Sequence, residues 1–110
     1  MINRSILIVR AKEPFVKWIN SLPDPAGVSR KQVDLDNTAY LLPEYAYDDE
    51  KEELLGQFFD LIFQEQLSGW WTDESDWPQK RDIAMFKEWF EVDFHSTVLD
   101  LVDAPLEKDE

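Results

Sequence analysis

The chain has 110 residues, a length that fits one domain, with 24 acidic against 11 basic side chains and a formal net charge of −13. Hydrophobic residues make up 44% and aromatics 14%, with five Trp, which excludes a disordered chain short of large apolar groups. The lack of Cys excludes disulfides, thiol nucleophiles and cysteine-held metal centres, and the negative charge argues against direct binding to nucleic-acid phosphates.

Residues 5–12, Ser-Ile-Leu-Ile-Val-Arg-Ala-Lys, predict a strand. Ile6 to Val9 are apolar at every position, the pattern of a strand buried on both faces at the centre of a sheet. Bounded by Arg4 and Arg10, the run is too short for a signal-peptide core, and no small-residue cleavage site follows. No stretch reaches the roughly 18 apolar residues of a membrane span. The expected location is therefore the cytoplasm, with no membrane partner. Residues 13–22 predict a helix, with Pro14 in its first turn and Phe15, Trp18, Ile19 and Leu22 on one stripe. Pro23-Asp24-Pro25-Ala26-Gly27 ends it. Ser29 and Gln32 have capping-box spacing and predict one helical turn, with a reversal at Asp36-Asn37. Residues 38–43 predict a second strand, stopped by Pro43.

Residues 49–68 predict the longest helix. Asp49 and Glu52 have the spacing of a cap, and the acids crowding the first turn suit the helix dipole. Leu55, Phe58, Phe59, Ile62 and Phe63 form its stripe, flanked by Leu54 and Leu67. Gly56 would allow a close backbone approach, and Ser68-Gly69 predicts a left-handed stop. Residues 70–80 predict a loop holding Trp70, Trp71 and Trp77. Residues 81–90 return to helical spacing through Ile83, Phe86 and Phe90, widened by Met85 and Trp89. Residues 92–102 predict a third strand with a bulge or kink near Ser96, and residues 104–110 a frayed acidic tail. The whole reads as a single compact domain over 1–110 of the α+β or small α/β class. It has a three-stranded sheet and about three helices in the order β-α-β-α-α-β. A right-handed crossover would set the first two strands parallel if they are neighbours.

Charge is unevenly spread. Residues 1–36 hold six basic and four acidic side chains, and residues 37–110 hold five and twenty. Glu44, Asp48, Asp49, Glu50, Glu52 and Glu53 concentrate the acid into a patch. It reads either as a solvated exterior or as a face aimed at a basic partner. No Gly-rich phosphate loop or G-x-S-x-G turn is present. His95 is the single histidine, so a multi-histidine metal site cannot form, and no cofactor is expected. Asp73, Glu74 and Asp76 lie beside Trp70, Trp71 and Trp77. An apolar wall can raise a carboxyl pKa and make it a general acid. The same acids could instead cap the next helix while the Trp side chains fill the core. Arg81 would then be an internal counter-ion for Asp73 or Glu74. Each buried indole N–H needs a partner, so some Trp side chains should stay partly exposed.

As a string, Gly69-Trp70-Trp71-Thr72-Asp73-Glu74-Ser75, Trp77-Pro78, Phe86-Lys87-Glu88-Trp89-Phe90 and His95 resemble a family of small acidic bacterial proteins. The opening Pro14-Phe15-Val16-Lys17-Trp18-Ile19-Asn20 adds to the likeness. That family has no assigned activity, so the resemblance implies a bacterial origin and no catalytic residue to carry over.

The leading expectation is a non-enzymatic interaction protein that binds a basic protein or peptide. The acidic patch would attract the partner, and the loop would anchor it through Trp70, Trp71, Asp73, Glu74 and Trp77, with Arg81 and His95 nearby. The alternative is a small ligand-binding or hydrolytic domain with a pocket near Trp70, Asp73, Glu74, Trp77 and His95. An exposed sheet edge, or the apolar helix 81–90, could also carry a homodimer.

Overall fold

The computed structural model describes residues 1–24 and 27–108. The expectations for Pro25, Ala26, Asp109 and Glu110 lie outside the described residues. Three strands, β1 (Ser5–Ala11), β2 (Thr38–Leu42) and β3 (Phe90–His95), form one sheet in the order β2-β1-β3. Among the described residues four helices accompany it: α1 (Glu13–Asn20), α2 (Arg30–Val33), α3 (Glu50–Ser68) and α4 (Ile83–Trp89). A 3-10 turn spans Glu74–Asp76. The class is α+β, and the strand run with the richest β-branched content is the central one, as its composition predicts.

Both pairings of β1 are antiparallel, which corrects the expected parallel crossover. The reason lies where β1 ends. Asp34 Oδ1 accepts from the Ala11 N–H at 2.9 Å, and Arg30 Nε donates to the Ala11 carbonyl at 3.0 Å. These two contacts pin α2 beside the end of β1. The chain therefore re-enters the sheet there, with Thr38 opposite Val9. Ser29 and Gln32 cap α2 reciprocally, as their spacing predicts.

The sheet is buried on one face. Ser5, Leu7, Val9 and Ala11 alternate with half-buried Ile6, Ile8 and Arg10, which corrects the two-faced burial expected of β1. Register puts Tyr40, Leu42, Phe90, Val92 and Phe94 on the core side with Leu7 and Val9. Phe15 and Ile19 of α1, Leu55, Ile62, Phe63 and Leu67 of α3, and Phe86 of α4 close the core over them. Each such burial stabilises by about 1.5–3 kcal/mol. Phe90 sits at the aromatic centre, with ring centroids 4.8 Å from Phe15, 5.1 Å from Phe86 and 5.5 Å from Phe63.

Several boundaries differ from the sequence reading. Asp49 is helical in φ and ψ and makes no side-chain cap, so α3 begins without the predicted Asp49–Glu52 box. Gly69 has φ −64°, so α3 ends in a right-handed turn rather than a left-handed stop. Gly56 faces open space and supports no close approach. α4 passes directly into β3, because Phe90 pairs with Ala11 while the Trp89 carbonyl accepts from the Lys12 N–H at 2.8 Å. The break at Ser96 is the end of the strand, not a bulge within it. Beyond it the Val98 carbonyl accepts from the Ile2 N–H at 2.9 Å. Residues 99–108 are exposed, without helix or strand. The total surface is 7619 Å², where a chain of this mass averages roughly 6,300 Å².

Candidate functional site: an acidic cleft walled by Trp70

The pinning of α2 onto β1 leaves a cleft of about 240 Å³ between the α2–β2 connection and the C-terminal end of α3. Val9 and Ala11 of β1 line it from the sheet. Asp34, Asp36 and Thr38 line one side, and Glu65, Gln66 and Trp70 the other. Glu65 and Trp70 reach the same space because α3 turns without breaking at Gly69, whose N–H donates to the Glu65 carbonyl at 3.1 Å. Trp70 is 37% exposed.

Two of the three carboxylates are held in place. Asp34 spends one oxygen on the Ala11 N–H. Glu65 Oε1 accepts from the Tyr40 hydroxyl at 2.7 Å, and Gln66 Nε2 donates to the same hydroxyl at 2.8 Å. Burial, and then the hydrogen bond to Glu65, push the Tyr40 phenol well above its usual range. Tyr40 therefore remains a donor at any physiological pH. Each anchored carboxylate still has a second oxygen. Among the described residues no Lys or Arg lines the cleft. A cleft lined by three acidic residues and a tryptophan suits a guanidinium or ammonium group, for which carboxylates offer charge-assisted hydrogen bonds and an indole a cation–π contact.

The residues singled out from the sequence fall in different places. Trp77 is buried, and its indole donates to the Trp71 carbonyl at 2.8 Å. The Trp71 indole donates to Asp76 Oδ2 at 2.9 Å, and that of Trp18 to the Asp76 carbonyl at 3.1 Å. The 3-10 turn is thus a knot of indole hydrogen bonds from Trp18, Trp71 and Trp77, and of the loop's Trp70, Trp71 and Trp77 only Trp70 lines the cleft. Asp73 caps the turn. The Ser75 hydroxyl and N–H donate to its carboxylate at 2.7 and 3.1 Å and hold its pKa below the usual range. That is the environment of a fixed anion, opposite to the raised carboxyl a general acid needs. Glu74 is exposed, and its carbonyl accepts from Gln79 Nε2 at 2.9 Å.

Arg81 is the counter-ion of Asp60, not of Asp73 or Glu74. Its Nε donates to Asp60 Oδ1 at 2.8 Å, and its Nη1 to the Pro78 carbonyl at 2.8 Å. This ties α3 to the segment after the 3-10 turn. His95 lies at the far end of β3, in a separate open cleft with Tyr45, Asp48 and Lys51. The structure therefore places Trp70 and His95 in different depressions. Among the described residues no three His, Asp or Glu side chains are grouped to hold a metal ion.

The patch at the start of α3 is exposed but partly neutralised. Glu52 accepts from Lys87 Nζ at 2.6 Å, and Asp48 pairs with Lys51 at 3.1 Å. Glu50 Oε2 accepts from the Ala46 N–H at 3.3 Å, while Glu44, Asp49 and Glu53 face solvent. Sequence reasoning missed Asp34, Asp36 and Glu65. Their signal was local and weak: Asp34 follows the capped turn of α2, and Glu65 stands five residues before Trp70.

No family model, curated protein or solved structure matches the chain. Among the described residues no helix is long and apolar enough to cross a membrane.

Proposed function

We propose that this chain is a non-enzymatic binding module for a basic protein segment, and that a cationic side chain of the segment enters the Trp70 cleft. The observation that carries this reading is one cleft lined by Asp34, Asp36, Glu65 and the half-exposed Trp70, with no Lys or Arg lining it among the described residues. The net charge of −13 supports it at longer range, since a basic partner is attracted over roughly one Debye length, which grows to about 30 Å at 0.01 M salt. The exposed patch around Glu44 and Glu53 contributes to that attraction, and the cleft supplies the contact.

The test is a calorimetric titration of the full chain with hexa-arginine amide at low and physiological salt, with Trp fluorescence followed in parallel. Saturable binding that weakens with salt and is lost in Trp70→Ala supports the reading. Binding that is absent at low salt, or indifferent to Trp70→Ala and Asp36→Asn, rejects it.

A further inference from the structure

The acidic cleft does not stand alone. A second groove of about 280 Å³ runs between Tyr40–Leu42 of β2 and Phe58, Leu61 and Ile62 of α3. Glu65 lines both. β2 and α3 run in opposite directions here, because Thr38 shares a cleft with Trp70 while Leu42 shares one with Phe58. The two depressions therefore follow one another as a trough along β2, crossed between them by the Tyr40–Glu65 hydrogen bond. Four steps of an extended chain cover about 13 Å, so the trough spans four or five residues of a strand. Its chemistry changes along its length. The Phe58 end is apolar, with Leu61 65% exposed, and the Trp70 end is acidic and aromatic.

β2 is also an edge. Among the described residues it pairs only with β1, so every second backbone N–H and C=O along its outer side points away from the sheet. An unpaired edge beside an apolar helix face is the arrangement that accepts an added strand, with backbone bonds giving affinity and alternate side chains giving specificity. We infer that the basic segment lies along β2 as an antiparallel fourth strand. Its apolar side chains rest on Phe58, Leu61 and Ile62, and its cationic side chain fills the Trp70 cleft. This rests on the basic-segment reading above and adds how the segment is held.

Charge selects the occupant. The exposed C-terminal segment carries apolar side chains at Leu99, Leu101 and Val102, but they are interleaved with Asp100 and Asp103. A second copy would therefore bring acid to a cleft already lined by three carboxylates, under a net charge of −13 on each chain. A foreign segment with apolar residues followed by Arg or Lys has the matching order.

The probe is the blocked pentapeptide acetyl-Leu-Thr-Val-Thr-Arg-amide, titrated calorimetrically against the full chain. In an antiparallel fourth strand its Leu, Val and Arg share one face, with Leu near Leu42 and Arg near Thr38. Two analogues are N-methylated, one at the central valine and one at the threonine after it. Only one of the two N–H groups faces β2, so one analogue should bind about three- to tenfold more weakly and the other much less so. Leu61→Ser, an exposed and tolerated change, should weaken the parent peptide several-fold and leave hexa-arginine unaffected. If hexa-arginine binds but neither methylation nor Leu61→Ser alters the pentapeptide, strand addition is overturned while the cation cleft stands. If neither peptide binds, the basic-segment reading itself falls, and strand addition with it. A concentration-dependent dimer in sedimentation, dispersed by Leu61→Ser, would assign the trough to a second copy and overturn the proposal.

Discussion

Two acidic regions lie at opposite ends of the same helix, and they differ in what surrounds the charge. At the start of α3 the acids are dense in sequence but spread over an exposed surface, and Lys51 and Lys87 already pair with Asp48 and Glu52. At its end only Glu65 is acidic, yet the fold places it in one concave cleft with Asp34, Asp36 and Trp70. Exposed ion pairs contribute about 0–1 kcal/mol each and are screened by salt. A cleft that partly desolvates a cation makes the same charges count for more. On the proposed reading, charge density steers the partner and concavity holds it.

The largest expected effect breaks that comparison if it is wrong. Trp70→Ala combined with Asp36→Asn should weaken hexa-arginine binding about 10- to 100-fold, from loss of one cation–π contact and one charged hydrogen bond. The triple change Glu50→Gln, Glu52→Gln and Glu53→Gln should lower the association rate at low salt. At physiological salt it should change affinity by no more than about threefold. Stopped-flow fluorescence and calorimetry separate the two effects. A patch variant that loses as much equilibrium affinity as the cleft variant would erase the distinction.

The next effect concerns what keeps the cleft wall in place. Arg81 lowers the Asp60 pKa chiefly through its hydrogen bond, and ties α3 to the segment that follows the tryptophan knot. The folded pKa lies below the unfolded value. The pair's contribution is therefore fully present above the unfolded pKa and is lost as pH falls through the folded one. Asp60 is partly solvated, so Arg81→Ala should cost no more than about 1 kcal/mol in urea unfolding at pH 7. The difference between variant and parent should shrink as pH falls below about 4. A gap that stays constant down to pH 2 would detach the stability effect from Asp60.

A gain of similar or smaller size comes from Gly56→Ala. Gly56 is helical and exposed, and a Cβ there meets nothing within 4 Å. The change should raise unfolding free energy by about 0.5–1 kcal/mol through helix propensity. Because α3 carries both acidic regions, binding at either end should not move. A loss of stability in the urea midpoint would mean Gly56 has a neighbour outside this structure.

Local signals in the chain were read well where neighbours in sequence are neighbours in space. The Ser29–Gln32 cap, the Phe86 stripe of α4 and the central place of Ile6–Val9 follow from spacing and composition. Readings failed where a distant contact decided. β2 is antiparallel because Asp34 and Arg30 reach back to Ala11, across 23 and 19 positions. Arg81 chose Asp60 over nearer acids for the same reason. The cleft is of this second kind. Trp70 was visible as a candidate, but Trp71, Asp73 and Trp77 beside it are consumed by the hydrogen bonds of the 3-10 turn. Asp34, Asp36 and Glu65 come from two segments whose proximity only the sheet pairing creates.

The smallest expected change in affinity tests how far the cleft is preorganised. Tyr40 extends from the middle of β2, under Glu65 and Gln66, and its hydroxyl is the one fixed partner of the Glu65 carboxylate among the described residues. Tyr40→Phe keeps the ring and its packing but removes that donor. Glu65 is then free to rotate toward solvent, and a cation must order it on binding, which costs a fraction of the 0.5–1.5 kcal/mol typical of an immobilised long side chain. Hexa-arginine should bind about two- to threefold more weakly. The loss should come from faster dissociation rather than slower association, since net charge is unchanged. Folding stability should fall by about 1 kcal/mol, the net worth of one hydrogen bond. If affinity instead rises, Tyr40 competes with the ligand for Glu65 rather than presenting it, and the acidic cleft owes its grip to Asp34, Asp36 and the indole alone.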